Sequence, residues 1–151
     1  MTYKTERLLV GFKPCLRDGK FDFDNCCSDK KVDLLNLQPS DDCENMVFQL
    51  YLKEDNMNIG HISLYNKYGK LEVAYETNAL FRGKGYMTEA LTFAVKWIFD
   101  NTTEDSIWAL IEDDNMHSIS VAKRCGFTER EIYEHISNWH WFKIERAIGT
   151  K

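Results

Sequence analysis

Phe81-Arg82-Gly83-Lys84-Gly85-Tyr86-Met87-Thr88-Glu89-Ala90-Leu91 sets two glycines around a lysine, an arginine just before them and an apolar helical pattern just after. Glycine lets the backbone turn sharply and lets a ligand approach it closely. A helix opening at Gly85 aims its unpaired N–H groups, and the positive end of its dipole, into that turn. Such a turn suits phosphate. Arg82 and Lys84 add positive charge beside it. A strand-like segment precedes it, so the turn falls at a strand's carboxyl end, where open α/β sheets bind ligands. The Walker pattern Gly-x-x-x-x-Gly-Lys-Ser/Thr is absent, and Gly-x-Gly-x-x-Gly fails after Gly85. A mononucleotide or pyrophosphate ligand remains.

Downstream, Met87, Leu91, Ala94 and Ile98 recur at helical spacing, with Ala90 and Trp97 widening the face, so a helix is expected from Gly85 to about Asp100. Ile107 to Ile111 is apolar on both faces, as a covered central strand would be. A second helix is expected from Asn115, an N-cap residue, to Gly126 at C′, with Lys123 and Arg124 complementing its dipole. Two strands, Glu131 to Ile136 and Trp139 to Ile148, close the chain. In the last, Trp139, Trp141 and Lys143 alternate with His140, Phe142 and Ile144.

Upstream, Met46 to Leu52, Ile59 to Tyr65 and Leu71 to Thr77 form strands with short connections, hence an antiparallel meander. An earlier strand runs from Arg7 to Phe12. Between them, Asp22, Asp24, Asn25, Asp29 and Asp33 break the pattern, and one short helix is expected at Ser28 to Leu37. The sum is an α/β (α+β) fold, a mixed and mostly antiparallel single-layer sheet flanked by helices, with residues 1–151 as one domain.

The 151 residues are 44% hydrophobic and 13% aromatic, enough for a core, and the net charge is −5. No basic stripe suggests a nucleic-acid partner. No run approaches the roughly 18 apolar residues of a membrane span, and the first residues lack an apolar leader core, so a cytoplasmic location is expected. Cys15, Cys26, Cys27, Cys43 and Cys125 show no Cys-x-x-Cys spacing, so neither a disulfide framework nor a metal site is expected.

Arg82-Gly83-Lys84-Gly85-Tyr86 followed by Thr88-Glu89-Ala90-Leu91 resembles the acetyl-CoA motif of the GNAT N-acetyltransferases, Gln/Arg-x-x-Gly-x-Gly/Ala. Glu72-Val73-Ala74-Tyr75 is similar to the strand leading into it. Asn115-x-x-Ser118, then Lys123-x-x-Gly126-Phe127, resembles the family's second motif. Thr5-Glu6-Arg7-Leu8 is similar to the opening of the RimJ/RimL-like branch, which acetylates ribosomal-protein N-termini and other amines. Met87 and Ala79 depart from the family's usual glycine or alanine and proline. The segment after the first strand is short for the family's acceptor-site helices, so the acceptor does not carry over.

The resemblance implies acetyl-CoA as co-substrate, no metal, and a small-molecule or peptide amine as acceptor; a homodimer through the sheet edge is compatible with it. It assigns the pyrophosphate to Gly83, Lys84, Gly85, Tyr86, Met87 and Thr88, supported by Arg82. It assigns the pantetheine to a splayed strand end at Tyr75, Glu76 and Thr77, with Asn115 nearby. Many relatives protonate the thiolate with a tyrosine four residues before the glycine of Gly-Phe; here that position is Ala122, and the resemblance to the branch that lacks the tyrosine implies instead the serine of Asn-x-x-Ser, Ser118, as the acid. Ser118 also reads simply as a first-turn helix serine. Glu72 is the candidate base, or else a strand glutamate facing solvent, while Glu134, His135 and Tyr133 stand on the next-to-last strand, Tyr133 as an alternative acid.

Overall fold

Period-two burial, such as the intermediate–buried alternation of Val47–Leu52, makes the strands of this chain and sets them against one long helix. The computed structural model describes residues 1–24, 32–33, 38–39, 46–67, 69–132 and 138–147. In chain order the first strands are β1 (Thr2–Lys4), β2 (Leu8–Gly11), β3 (Leu16–Arg17), β4 (Lys20–Phe21), β5 (Val32–Asp33) and β6 (Gln38–Pro39). The meander follows as β7 (Val47–Leu52), β8 (Asn58–Lys67) and β9 (Lys70–Thr77). A single 3₁₀ turn, Ala79–Phe81, leads to α1 (Tyr86–Asn101), then β10 (Ser106–Glu112), α2 (Met116–Arg124), β11 (Thr128–Ile132) and β12 (Trp139–Glu145).

Eight strands form one sheet in the order β1-β2-β7-β8-β9-β10-β12-β11. Every neighbouring pair is antiparallel except β9 and β10. The mixed, mostly antiparallel sheet expected from the sequence is therefore present. Several boundaries move. The structure adds β1 ahead of the first strand, and β11 begins at Thr128 rather than Glu131. Of the helix expected over Ser28 to Leu37, Val32 and Asp33 are described, and they pair with Gln38–Pro39 as a short ladder. The small β3–β4 hairpin turns through Asp18 and Gly19, both at positive φ (53° and 82°). Asp-Gly is the pair that such a two-residue turn favours.

Helix α1 buries Met87, Ala90, Leu91, Ala94, Val95, Trp97 and Ile98. These meet the inward side chains of the sheet, among them Leu8, Val10, Phe48, Ile62, Val73, Ile107 and Ala109. Phe12 stacks on Phe48 at 3.7 Å between ring centroids, and Trp97 meets Phe12 edge-on at 5.0 Å. Each such aromatic pair contributes about 1 kcal/mol beyond its buried area. The strand β12 is buried on both sides. Phe142 enters the core, while Trp141 packs edge-on against Trp108, 5.7 Å away. The Trp108–Trp141 pair therefore belongs to a packed sheet face.

Arginines hold both ends of α1. At its carboxyl end the Arg146 guanidinium donates to the carbonyls of Phe99 (2.6 Å), Thr102 (2.8 Å) and Glu104 (2.8 Å). Phe99 carries one of the carbonyls the helix leaves without a partner, Thr102 is its C-cap, and Glu104 lies just beyond. At its amino end, Glu89 accepts from the Thr5 hydroxyl, the Arg7 amide and the Arg7 guanidinium. Burial alone would raise the Glu89 carboxyl, but the Thr5 and Arg7 hydrogen bonds hold it below its ordinary value of 4.5. No helix among the described residues is long and apolar enough to cross a membrane.

Two outcomes are expected. Arg146→Ala should lower the unfolding free energy in urea by about 2 kcal/mol, because three carbonyls lose a charged donor; a change within about 0.5 kcal/mol would place the clamp outside the folding energetics. Glu89 binds its proton less readily folded than unfolded, so the stability it contributes is present above pH 4.5 and lost as pH falls below it. Acid unfolding of Glu89→Gln should accordingly have a shallower pH dependence than wild type in that range; superimposable curves would contradict the assignment.

Candidate active site

Gly83 and Gly85 take φ of 77° and 79°, in the left-handed region that side chains disfavour. Gly85 is the N-cap of α1, and the first helical bond runs from the Glu89 amide to the Gly85 carbonyl at 3.1 Å. Among the described residues, none of the N–H groups of residues 83 to 88 donates to a protein acceptor. Six consecutive main-chain donors are thus left open at the positive end of a sixteen-residue helix.

They border a cavity of about 390 Å³. Its near wall is Thr77, Phe81, Arg82, Gly83, Gly85, Tyr86, Met87 and Thr88. Its far wall comes from α2, through Met116, His117, Ser120, Val121 and Arg124. His117, Ser120, Val121 and Arg124 recur at i, i+3, i+4 and i+7, which is one face of a helix. Arg82 folds back so that its Nε donates to the Thr77 carbonyl at 2.9 Å, closing the turn onto the strand end.

Seven of the residues expected to hold the cofactor line this cavity: Thr77, Arg82, Gly83, Gly85, Tyr86, Met87 and Thr88. Five do not. Lys84 has its ammonium over the Phe81 ring, 5.7 Å from the centroid, and its carbonyl engaged by Arg7. Glu76 is exposed at the end of β9. Asn115 caps α2, accepting from the Ser118 amide at 3.2 Å. Tyr75 donates its hydroxyl to the Ser118 carbonyl at 2.6 Å. Ser118 itself sits one residue off the cavity-facing stripe, about 100° round the helix axis, beside Tyr75. Burial, and then the nearby Cys125, raise the Tyr75 phenol, which stays protonated and available as a donor.

Sequence reading overlooked His117, Ser120 and Arg124. Arg124 was read only as a partner of the helix dipole. The signal was the helical period of α2 counted from its N-cap. Cys125 holds α2 on α1: its thiol donates to the Thr88 carbonyl at 3.5 Å. Burial raises that thiol above its ordinary value.

The strands β9 and β10 run parallel and register at one pair, Trp108 against Glu72. Beyond it, among the described residues, they form no further registered pair. Glu72, only 5% exposed, stands at that pair, roughly 16 Å along β9 from Thr77 and the turn. The far end of β9 is fixed by Gly60, where a Cβ would come within 2.2 Å of the Glu76 carbonyl oxygen. Tyr133, Glu134 and His135 lie outside the described residues.

The comparisons with known proteins agree with this fold. The uncharacterized N-acetyltransferase YjdG of Bacillus subtilis (strain 168) is 28% identical over 94 residues, 60% of this chain and 56% of that protein. The chain spans little more than half the length of the curated relatives it matches. A GNAT-family acetyltransferase from Bacillus anthracis superposes with a TM-score of 0.68 at 21% identity, covering 96% of this chain and 98% of that one. The ribosomal-protein-S5-alanine acetyltransferase of Vibrio fischeri, of the branch that Thr5-Glu6-Arg7-Leu8 resembles, superposes with a TM-score of 0.63 at 16% identity, over 96% of each chain. At these identities the superpositions establish the fold. The family model for the acetyltransferase (GNAT) domain matches residues 21–128, well over half of the sequence, and the chain belongs to the GNAT acetyltransferase family.

Proposed function

We propose that the chain is an N-acetyltransferase that moves the acetyl group of acetyl-CoA directly to a primary amine, on a protein N-terminus, an amino sugar, a polyamine or an antibiotic. The single observation that carries this reading is the row of open amides from Gly83 to Thr88 on the cavity wall. A diphosphate supplies the acceptors that such a row lacks, and a helix N-terminus favours its charge. Arg82 and Arg124 add cations on opposite walls.

From that anchor the pantetheine arm runs along the β9–β10 seam, where the two strands register at one pair. Membership of the family and the similarity to named acetyltransferases support acetyl transfer in general. The amine must lose a proton and the departing thiolate must gain one or accept a hydrogen bond. Glu72, at that registered pair, is the base in this reading. Ser118, between Asn115 and Tyr75, is the acid, and Tyr133 is the alternative acid. Backbone N–H groups near Tyr75, Glu76 and Thr77 polarise the thioester carbonyl.

A second reading, a CoA-binding sensor without turnover, is favoured by two observations. Ala122 occupies the position of the family's acid and is fully buried, and the Ser118 residue does not line the cavity. Thiol release from acetyl-CoA, measured with a panel of amines, separates the two: release above the amine-free rate supports the enzyme, and CoA binding with no release on any amine supports the sensor.

Gly85→Val should weaken CoA binding at least a hundredfold, since a branched side chain at φ 79° cannot keep the turn. Calorimetric titration checks it, and an unchanged dissociation constant would reject this placement of the diphosphate. Ser118→Ala should lower turnover more than it lowers CoA affinity; wild-type turnover would remove Ser118 from the acid role.

A further inference from the structure

We propose that Arg7 is a positioning residue for the anion turn, setting the Lys84–Gly85 peptide from behind so that the open amides face the cavity. The inference rests on reading that turn as the seat of a diphosphate, and goes beyond it by naming what keeps the seat in shape.

Arg7 reaches the turn from a segment 77 residues earlier in the chain. Its Nη1 donates to the Lys84 carbonyl at 2.9 Å. Its Nε donates to Glu89 Oε1 and its own amide to Glu89 Oε2, both at 2.8 Å. The guanidinium carbon lies 4.4 Å from the centroid of the Tyr86 ring. Nη2 stands 3.4 Å from the place a Gly85 Cβ would occupy, so the guanidinium lies in contact distance of the turn's backbone. Arg7 is not among the residues lining the cavity, whereas Gly85 and Tyr86 are. It touches the turn on the face away from the ligand.

Two consequences follow from peptide geometry and charge. The peptides here are trans, and in a trans peptide C=O and N–H point in opposite directions. Holding the Lys84 carbonyl toward Arg7 therefore directs the Gly85 N–H away from it, to the cavity side. Glu89 is also the acidic residue of the first turn of α1. Left alone, its carboxylate would occupy the positive end of the helix and repel an incoming anion. Pairing with Arg7 offsets that charge without filling the cavity. One planar fork meets a carboxylate, a carbonyl and a ring at once, which an ammonium cannot do.

Calorimetric titration with coenzyme A, alongside thermal melts, tests this on wild type, Arg7→Ala and Arg7→Lys. Arg7→Ala should weaken CoA roughly tenfold, the size of one lost charged hydrogen bond, and Arg7→Lys should recover little of it. With any amine the wild type accepts, KM for acetyl-CoA should rise while kcat at saturation stays within about twofold, as loss of uniform binding requires. If Arg7→Ala does not fold, Arg7→Lys carries the test. CoA affinity within about twofold of wild type in either folded variant, or a loss falling on kcat rather than KM, would overturn the inference. Wild type that fails to bind CoA would instead strike down the reading of the turn itself, and would be seen before any variant was made.

Discussion

Backbone donors without partners are costly wherever water is excluded, and this fold keeps six of them in a row at the head of its longest helix. They stay open because Gly83 and Gly85 adopt left-handed conformations that turn the chain without closing its hydrogen bonds internally. The rest of the molecule fixes the helix that carries them. Its apolar stripe is sunk into an aromatic core around Phe12, Phe48 and Trp97, and Arg146 occupies its far carbonyls. A ligand at the turn therefore meets a preorganised array, and little ordering is left to be done on binding.

The second constraint is the break between β9 and β10. Strand β9 is held to β8 along the whole run from Lys70 to Thr77, and β10 to β12 from Ser106 to Glu112. Each belongs to its own antiparallel block, and between the blocks there is one registered pair. Tyr75 ties the two blocks together near the turn, donating from β9 to the Ser118 carbonyl of α2. The turn follows β9, and α2 follows β10.

How much of this could be read beforehand follows physical lines. The helices were legible because their apolar period is strong and their ends carry Gly85, Asn115 and Gly126. The meander was legible because Val47–Leu52 and Lys70–Thr77 place their apolar residues on alternate positions between turn signals. The turn was legible because its chemistry is local, in the backbone of eleven consecutive residues. What was missed depends on distant pairing. The contact of Arg7 with Lys84 and Glu89 joins residues 77 and 82 positions apart, and no periodicity announces it. The cavity face of α2 was hidden because Asn115 and Ser118 were read as a motif, whereas His117, Ser120 and Arg124 follow from the helix period. The two residues of β3 and of β4 were too few to show a period, although Asp18-Gly19 marked their turn.

Amide hydrogen exchange of residues 83 to 88, followed with and without coenzyme A, tests the central claim most directly. Open donors exchange quickly in the free protein, and a bound diphosphate protects them. The account predicts fast exchange of Gly83, Gly85 and the first amides of α1 in the free chain, and strong slowing on addition of coenzyme A. Amides already protected in the free protein, or unaffected at saturating coenzyme A, would contradict it.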